Sequence, residues 1–254
     1  MIARNLAIGS MLVLLLAGCV SSGGTQDSDD SGPSAAQINM ELGIAYMRRG
    51  DNETALEKLR KAVRLDPDLA EAHTSLAVLY ERIGETDKAG DHYKRAADLA
   101  PKNGDVQNNY GTFLCRQGKY READEHFQRA LKDPFYKTPE VAYTNAGACA
   151  ARIPAPERAE QYFRSALEMD PDYSDALLRL SRMMYKSGRY MDARAFMERF
   201  MSAGQPTAES LYLGMNIERK LGDGQAAERY SAQLHDQFPD SSEARKQAEQ
   251  ARND

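Results

Sequence analysis

The residues in this chain able to do chemistry are few and dispersed. Cys115 and Cys149 stand 34 residues apart, and four histidines are scattered over 254 residues. With Cys19 set aside (see below), the remaining cysteine count is even, which in an exported chain invites a disulfide. Facing residues on helices packed about 8–10 Å apart can bring their Cα atoms within the roughly 7 Å that a bridge needs. Two buried free thiols are the alternative. His92 and His126 are also one 34-residue step apart and could be neighbours. No cysteine or acidic ligand set with metal spacing accompanies them, so neither metal nor cofactor is expected. No Ser-His-Asp order, phosphate loop or glycine-rich fingerprint occurs, and carboxylate pairs such as Glu122/Glu125 fall on predicted solvent faces. No enzyme is expected.

The chain opens with Arg4, an apolar stretch from Leu6 to Leu16, and Leu16-Ala17-Gly18-Cys19. A charged start, a short apolar run and small residues before the cut describe an export signal. The run is too short for a span, which needs about 20 residues. The quartet resembles a bacterial lipobox, in which the cysteine becomes residue one and carries acyl chains; an ordinary signal peptide with a chance cysteine is the alternative. Several acyl chains anchor stably where one binds marginally. Val20 follows where an Asp in similar lipoproteins favours inner-membrane retention, so the outer membrane is expected. Residues 1–18 are read as signal peptide, 19–35 as lipidated Cys19 plus a flexible Ser/Gly/Asp tether. Losing residues 1–18 removes one charge, Arg4, and moves the formal balance from −5 to −6. An acidic chain with interspersed charges is a poor nucleic-acid binder.

From residue 36 a 34-residue period organises everything. Tyr110-Gly111, Gly118, Ala123, Phe127 and Ala130 repeat the places of Leu76-Ala77, Gly84, Ala89, Tyr93 and Ala96. One unit earlier stand Leu42-Gly43, Gly50, Ala55, Leu59 and Ala62. This is the tetratricopeptide period, two antiparallel helices per unit. The expected fold is all-α, a right-handed α-solenoid of about six repeats spanning 36–252. Units are placed at 36–69, 70–103, 104–137, 140–173, 174–206 and 207–239, with a capping helix at 241–252. The sixth register is open by one residue. Asp66-Pro67 and Pro101 stop helices, because a residue before proline leaves helical geometry. The fourth unit follows a two-residue insertion and has Ile153-Pro154-Ala155-Pro156 in place of a turn glycine. Phe200 replaces an alanine and predicts looser or rotated packing in the fifth.

The thirteenth place of every unit is basic: Arg48, Arg82, Arg116, Arg152, Lys186 and Arg219. These cations either meet an acidic partner along the concave face or merely suit helix C-termini. The groove-facing places hold Gln37, Met40, Ile44 and Met47 in the first unit, and Glu71, Thr74, Val78 and Glu81 in the second. Met and Ile facing a groove make an adaptable apolar surface; the alternative is that they pack as core.

The block Asn108-Asn109-Tyr110-Gly111-Thr112-Phe113-Leu114-Cys115 with Gly118-Lys119-Tyr120 is more specific than a generic repeat. So is Ala142-Tyr143-Thr144-Asn145-Ala146-Gly147-Ala148-Cys149. With the lipobox and six repeats, the chain resembles the PilF/PilW family of type IV pilus biogenesis lipoproteins over essentially its whole length. The resemblance implies a monomeric pilotin, lipid-anchored at the outer membrane and facing the periplasm. It would help the pilus secretin subunit reach that membrane and form its multimeric pore. The expected contact residues are Met40, Ile44, Met47, Thr74, Val78, Asn108, Asn109, Thr112 and Arg116. Asn109 and Asn145 could instead hydrogen-bond backbone at the repeat junction. A general periplasmic scaffold with another client is the alternative function.

Overall fold

The computed structural model describes residues 33–154 and 156–253. The expected signal peptide, Cys19 and the tether as far as Gly32 lie outside the described residues. Local signals set each helix. In α2 (Asn52–Leu65) the Asp51 side chain accepts from Thr54 N at 3.0 Å, satisfying one of the amides a helix start leaves orphaned. Its buried residues Ala55, Leu59 and Ala62 follow helical spacing, one apolar stripe on an otherwise charged helix. Gly50 turns the chain out of α1 (Ala35–Arg48) at φ 82°, a left-handed conformation that only glycine adopts freely.

The same hairpin recurs. α3 (Ala70–Arg82) pairs with α4 (Thr86–Leu99), α5 (Gly104–Arg116) with α6 (Tyr120–Ala130), and α7 (Pro139–Ala150) with α8 (Pro156–Met169). α9 (Ser174–Lys186) and α10 (Tyr190–Ala203), then α11 (Ala208–Leu221) and α12 (Gly224–Gln237), complete six pairs before α13 (Ser242–Asn253). Among the described residues the fold is thirteen helices without a strand. Ser241 caps α13, accepting from Ala244 N at 3.1 Å, and Ala244 packs with Leu211 and Leu234 to close that end of the core.

Curvature follows from which helices touch. Each odd-numbered helix contacts the next odd one, from α1 through α11, whereas among the described residues no two successive even-numbered helices of the repeats do. The odd row is therefore the inner, concave side of the stack and the even row the outer side.

Three local departures have physical reasons. The loop after α6 absorbs the insertion. Asp133 accepts from Gly104 N and from Phe135 N, both at 2.9 Å, while Tyr136 packs so closely on Gly104 that a Cβ there would lie 2.5 Å from its ring. The sixth unit slips by one: Gly222, with φ 78°, follows the start of α11 by the interval that separates Gly118 from the start of α5. The thirteenth place there thus falls on Lys220 rather than Arg219. Phe200 does not loosen the fifth unit. It is buried, and the absence of a side chain at Gly204, where a Cβ would stand 2.9 Å from its ring, makes the room.

Candidate partner-binding surface

The inner face at its first end is built from α1 and α3. Met40 and Met47 are half-buried and pack against the main core, and Ile44 is half-buried beside them. Gln37, read as groove-facing, forms a reciprocal capping box with Ser34. The large apolar side chains most open on α1 are Ile38 at 44% and Leu42 at 43% exposure, one turn apart. α1 is apolar on more than one side, so its periodicity alone does not say which stripe meets core; Ile38 and Leu42 were legible only as an i, i+4 pair. On α3, Val78 is 37% exposed, while the Thr74 hydroxyl donates to Ala70 O at 3.1 Å.

The middle of the inner face is stitched. Cys115 and Cys149 are joined by a disulfide with Cα atoms 5.8 Å apart, both buried. One face along, Asn145 Nδ2 donates to Asn108 Oδ1 at 3.1 Å, so α5 and α7 share a side-chain bond as well as a covalent one. Asn145 thereby bonds a side chain of the preceding repeat rather than backbone. Asn108 is buried; Asn109 and Thr112 are half-exposed, and the Thr112 hydroxyl donates to Asn108 O at 2.8 Å. Gly111 and Gly147 let the helices of their hairpins cross closely: a Cβ on Gly147 would lie 2.6 Å from the Phe163 ring.

The basic ladder is partly consumed in the stack. Arg116 donates from Nε and from one terminal nitrogen to the two Glu81 oxygens, at 3.0 and 2.6 Å. The Tyr93 hydroxyl donates to the same carboxylate at 2.9 Å, and burial, with that carboxylate's charge, pushes the phenol well above its ordinary range. Arg82 donates to the Met47 carbonyl at the C-terminus of α1. These two members join one repeat to the one before it, as cations at helix C-termini do.

The histidines do not pair as their spacing suggested. His92 Nδ1 lies 2.9 Å from His73 Nδ1, and His126 Nδ1 lies 2.7 Å from Gln107 Oε1. Pro67 O accepts from His73 Nε2 at 3.0 Å, so a neutral His73 presents a bare Nδ1 and His92 donates to it. Burial holds His73, His92 and His126 below the usual imidazole value. Among the described residues no group of three or more His, Cys, Asp or Glu side chains is placed to hold a metal ion. No described helix is long and apolar enough to cross a membrane.

A stack of helical hairpins with a curved, side-chain-lined inner face defines an interaction scaffold of the tetratricopeptide class. Residues 29–104 and 114–174 match the tetratricopeptide-repeat family, and residues 155–212 match a second pattern of that repeat. The chain is 32% identical over 239 residues to the type IV pilus assembly protein PilF of Pseudomonas aeruginosa, covering 93% of this chain and 95% of that one. The crystal structure of PilW, a widely conserved type IV pilus biogenesis factor, aligns with a TM-score of 0.77 at 32% identity, over 85% of this chain and 99% of that one. The structure of Pseudomonas aeruginosa PilF aligns at 0.75, again with 32% identity, over 85% and 97%. The chain belongs to the PilF/PilW family of tetratricopeptide-repeat proteins.

Proposed function

We propose that the protein is a type IV pilus pilotin: a lipoprotein anchored through Cys19 in the outer membrane, which binds the pilus secretin subunit and promotes its localisation and multimerisation there. The observation that carries this reading is the match to a type IV pilus assembly protein along nearly the whole of both chains. The Leu16-Ala17-Gly18-Cys19 quartet supplies the membrane address, and the acyl chains it would carry give stable anchoring. The client lies on the inner face of the first three repeats. There the half-buried Met40, Ile44 and Met47, with Thr74 and Val78, continue into Asn109 and Thr112, beside the buried Asn108 and the Arg116 that Glu81 holds. Exposed Ile38 and Leu42 form a separate apolar stripe on the opposite side of α1, where no earlier repeat covers it. The role is capture rather than chemistry, so the affinity resides in apolar contacts and the lipid supplies the location.

The test is genetic and biochemical together. The gene is deleted in its host and complemented with wild type, Cys19→Ser or the double substitution Ile44→Asp/Val78→Asp. Membranes are fractionated and secretin multimers followed on gels. Loss of multimers in the deletion, their arrest in the inner membrane with Cys19→Ser, and their loss with the double aspartate variant are expected. Undisturbed outer-membrane multimers in the deletion strain overturn the pilotin reading and leave a scaffold for another envelope client.

A further inference from the structure

Between α7 and α9 the inner face carries a cavity of about 370 Å³, in the fourth and fifth repeats next to the proposed secretin surface on the first three. Its floor is apolar, made by Ala148, Phe163 and Met183, with Ile153 and Pro156 of the exceptional fourth turn at one edge. Its wall is cationic: Arg179, Arg182 and Lys186 line it from one face of α9, at helical spacing. Arg179 is held by Asp175 at 3.0 Å and Arg182 by Glu209 at 2.5 Å. Those pairs fix two guanidinium groups in place and, among the described residues, leave Lys186 without a carboxylate. Three cations against two carboxylates make this patch positive on a chain whose formal charge is −5.

We propose that this cavity is a second docking site, which takes a protein segment carrying an apolar side chain flanked by carboxylates. The apolar side chain fills the space over Met183 and Phe163. A neighbouring carboxylate meets Lys186, and Arg179 and Arg182 turn their remaining N–H groups to the same segment. The volume suits one large side chain plus a stretch of backbone, at the lower end of the range of small binding pockets. Charge complementarity selects the occupant. The chain as a whole is acidic, and a cationic wall on it attracts a segment of opposite charge. The turn explains why the cavity is here. The other five hairpins close on a glycine in the left-handed conformation, whereas the fourth runs through Ile153 and Pro154 to Pro156 at the start of α8. Its side chains therefore border a space that a glycine turn leaves bare.

The proposal rests on the inner face being a protein-binding surface but not on the client being a secretin. Its test contains no secretin, so it can fail independently. A phage-displayed library of random dodecapeptides is selected on the purified full chain, and the enriched peptides are measured by fluorescence polarisation against wild type, Lys186→Glu and Lys186→Arg. Lys186 is exposed at the C-terminal end of α9, and circular dichroism melting checks that both variants fold as wild type does. Enriched peptides should carry at least one apolar residue between acidic ones. They should bind Lys186→Glu about tenfold more weakly, the worth of one charge-assisted hydrogen bond, and Lys186→Arg nearly as well as wild type. Raised salt should weaken them. Enrichment of peptides without acidic residues, no enrichment at all, or equal binding to Lys186→Glu overturns the proposal.

Discussion

The Arg116 guanidinium holds both oxygens of Glu81 on the preceding repeat, and Tyr93 donates its hydroxyl to the same carboxylate. Three helices, α3, α4 and α5, thus meet at one acidic side chain that is only 21% exposed. A side chain positioned by sequence as a partner contact is engaged in joining repeats.

Arg116→Ala should therefore cost stability. A two-point contact to a partly buried carboxylate is worth about 1 kcal/mol, above the median exposed pair. In a chain of this length that lowers the melting temperature by roughly 2–4 °C. Thermal melting by circular dichroism reads it. An unchanged melt combined with lost secretin multimers would instead make Arg116 a partner contact.

Reducing Cys115–Cys149 should destabilise the middle of the stack. The bridge spans a sequence separation of 34 residues, and the chain-entropy account gives between about 3 and about 4.7 kcal/mol for loops from 15 to 100 residues. A melt with and without dithiothreitol, and one of the Cys115→Ser/Cys149→Ser variant, should both show a loss of roughly 2–4 kcal/mol. No difference would mean that α5 and α7 are held by Asn108–Asn145 and packing alone.

Stability should fall as the medium turns mildly acidic. Folding lowers the affinity of His73, His92 and His126 for protons below that of the unfolded chain, whose imidazoles titrate near 6.5. Below that pH the unfolded chain binds more protons than the native one, so stability is at its plateau above it and drains away as pH falls through it. Urea midpoints at pH 7.5, 6.5 and 5.5 should decline in that order. The His92→Gln variant should flatten the decline, because it removes the partner whose proton conflicts with His73. A flat wild-type profile would contradict the buried neutral pair.

Gly147→Ala should cost about 1–3 kcal/mol. Its new methyl would lie 2.6 Å from the Phe163 ring in a closely packed crossing, which a shift of that buried ring or of the helices must relieve. Gly224→Ala is the control: nothing lies within 4 Å of a Cβ there, and alanine favours helix. Denaturant titration of the pair should show a loss for the first and no loss, or a small gain, for the second.

Much of the fold was legible in the chain because its signals are local. A 34-residue period, a glycine able to take positive φ and a proline that ends a helix each constrain a few neighbouring dihedrals, so hairpin after hairpin could be placed from residue order. The site was less legible. Met40 and Ile38 are two residues apart on one helix, and nothing in their types says which meets core; the packing of α1 on α2 and α3 decides it. His92 was spaced to meet His126, yet it meets His73 of its own hairpin, because the antiparallel return brings residues 19 apart closer than residues one period apart. Arg116, Lys186 and Arg152 are equivalent in the repeat and differ only in what lies opposite. Glu81 claims the first, whereas Lys186 lines the cavity beside the fourth turn and Arg152 stands exposed on that turn. The order of residues determined the period, the helices, their ends and the family. Which side chains are spent on holding the stack and which remain to bind was decided only by tertiary structure, since that depends on distances between residues a whole repeat apart.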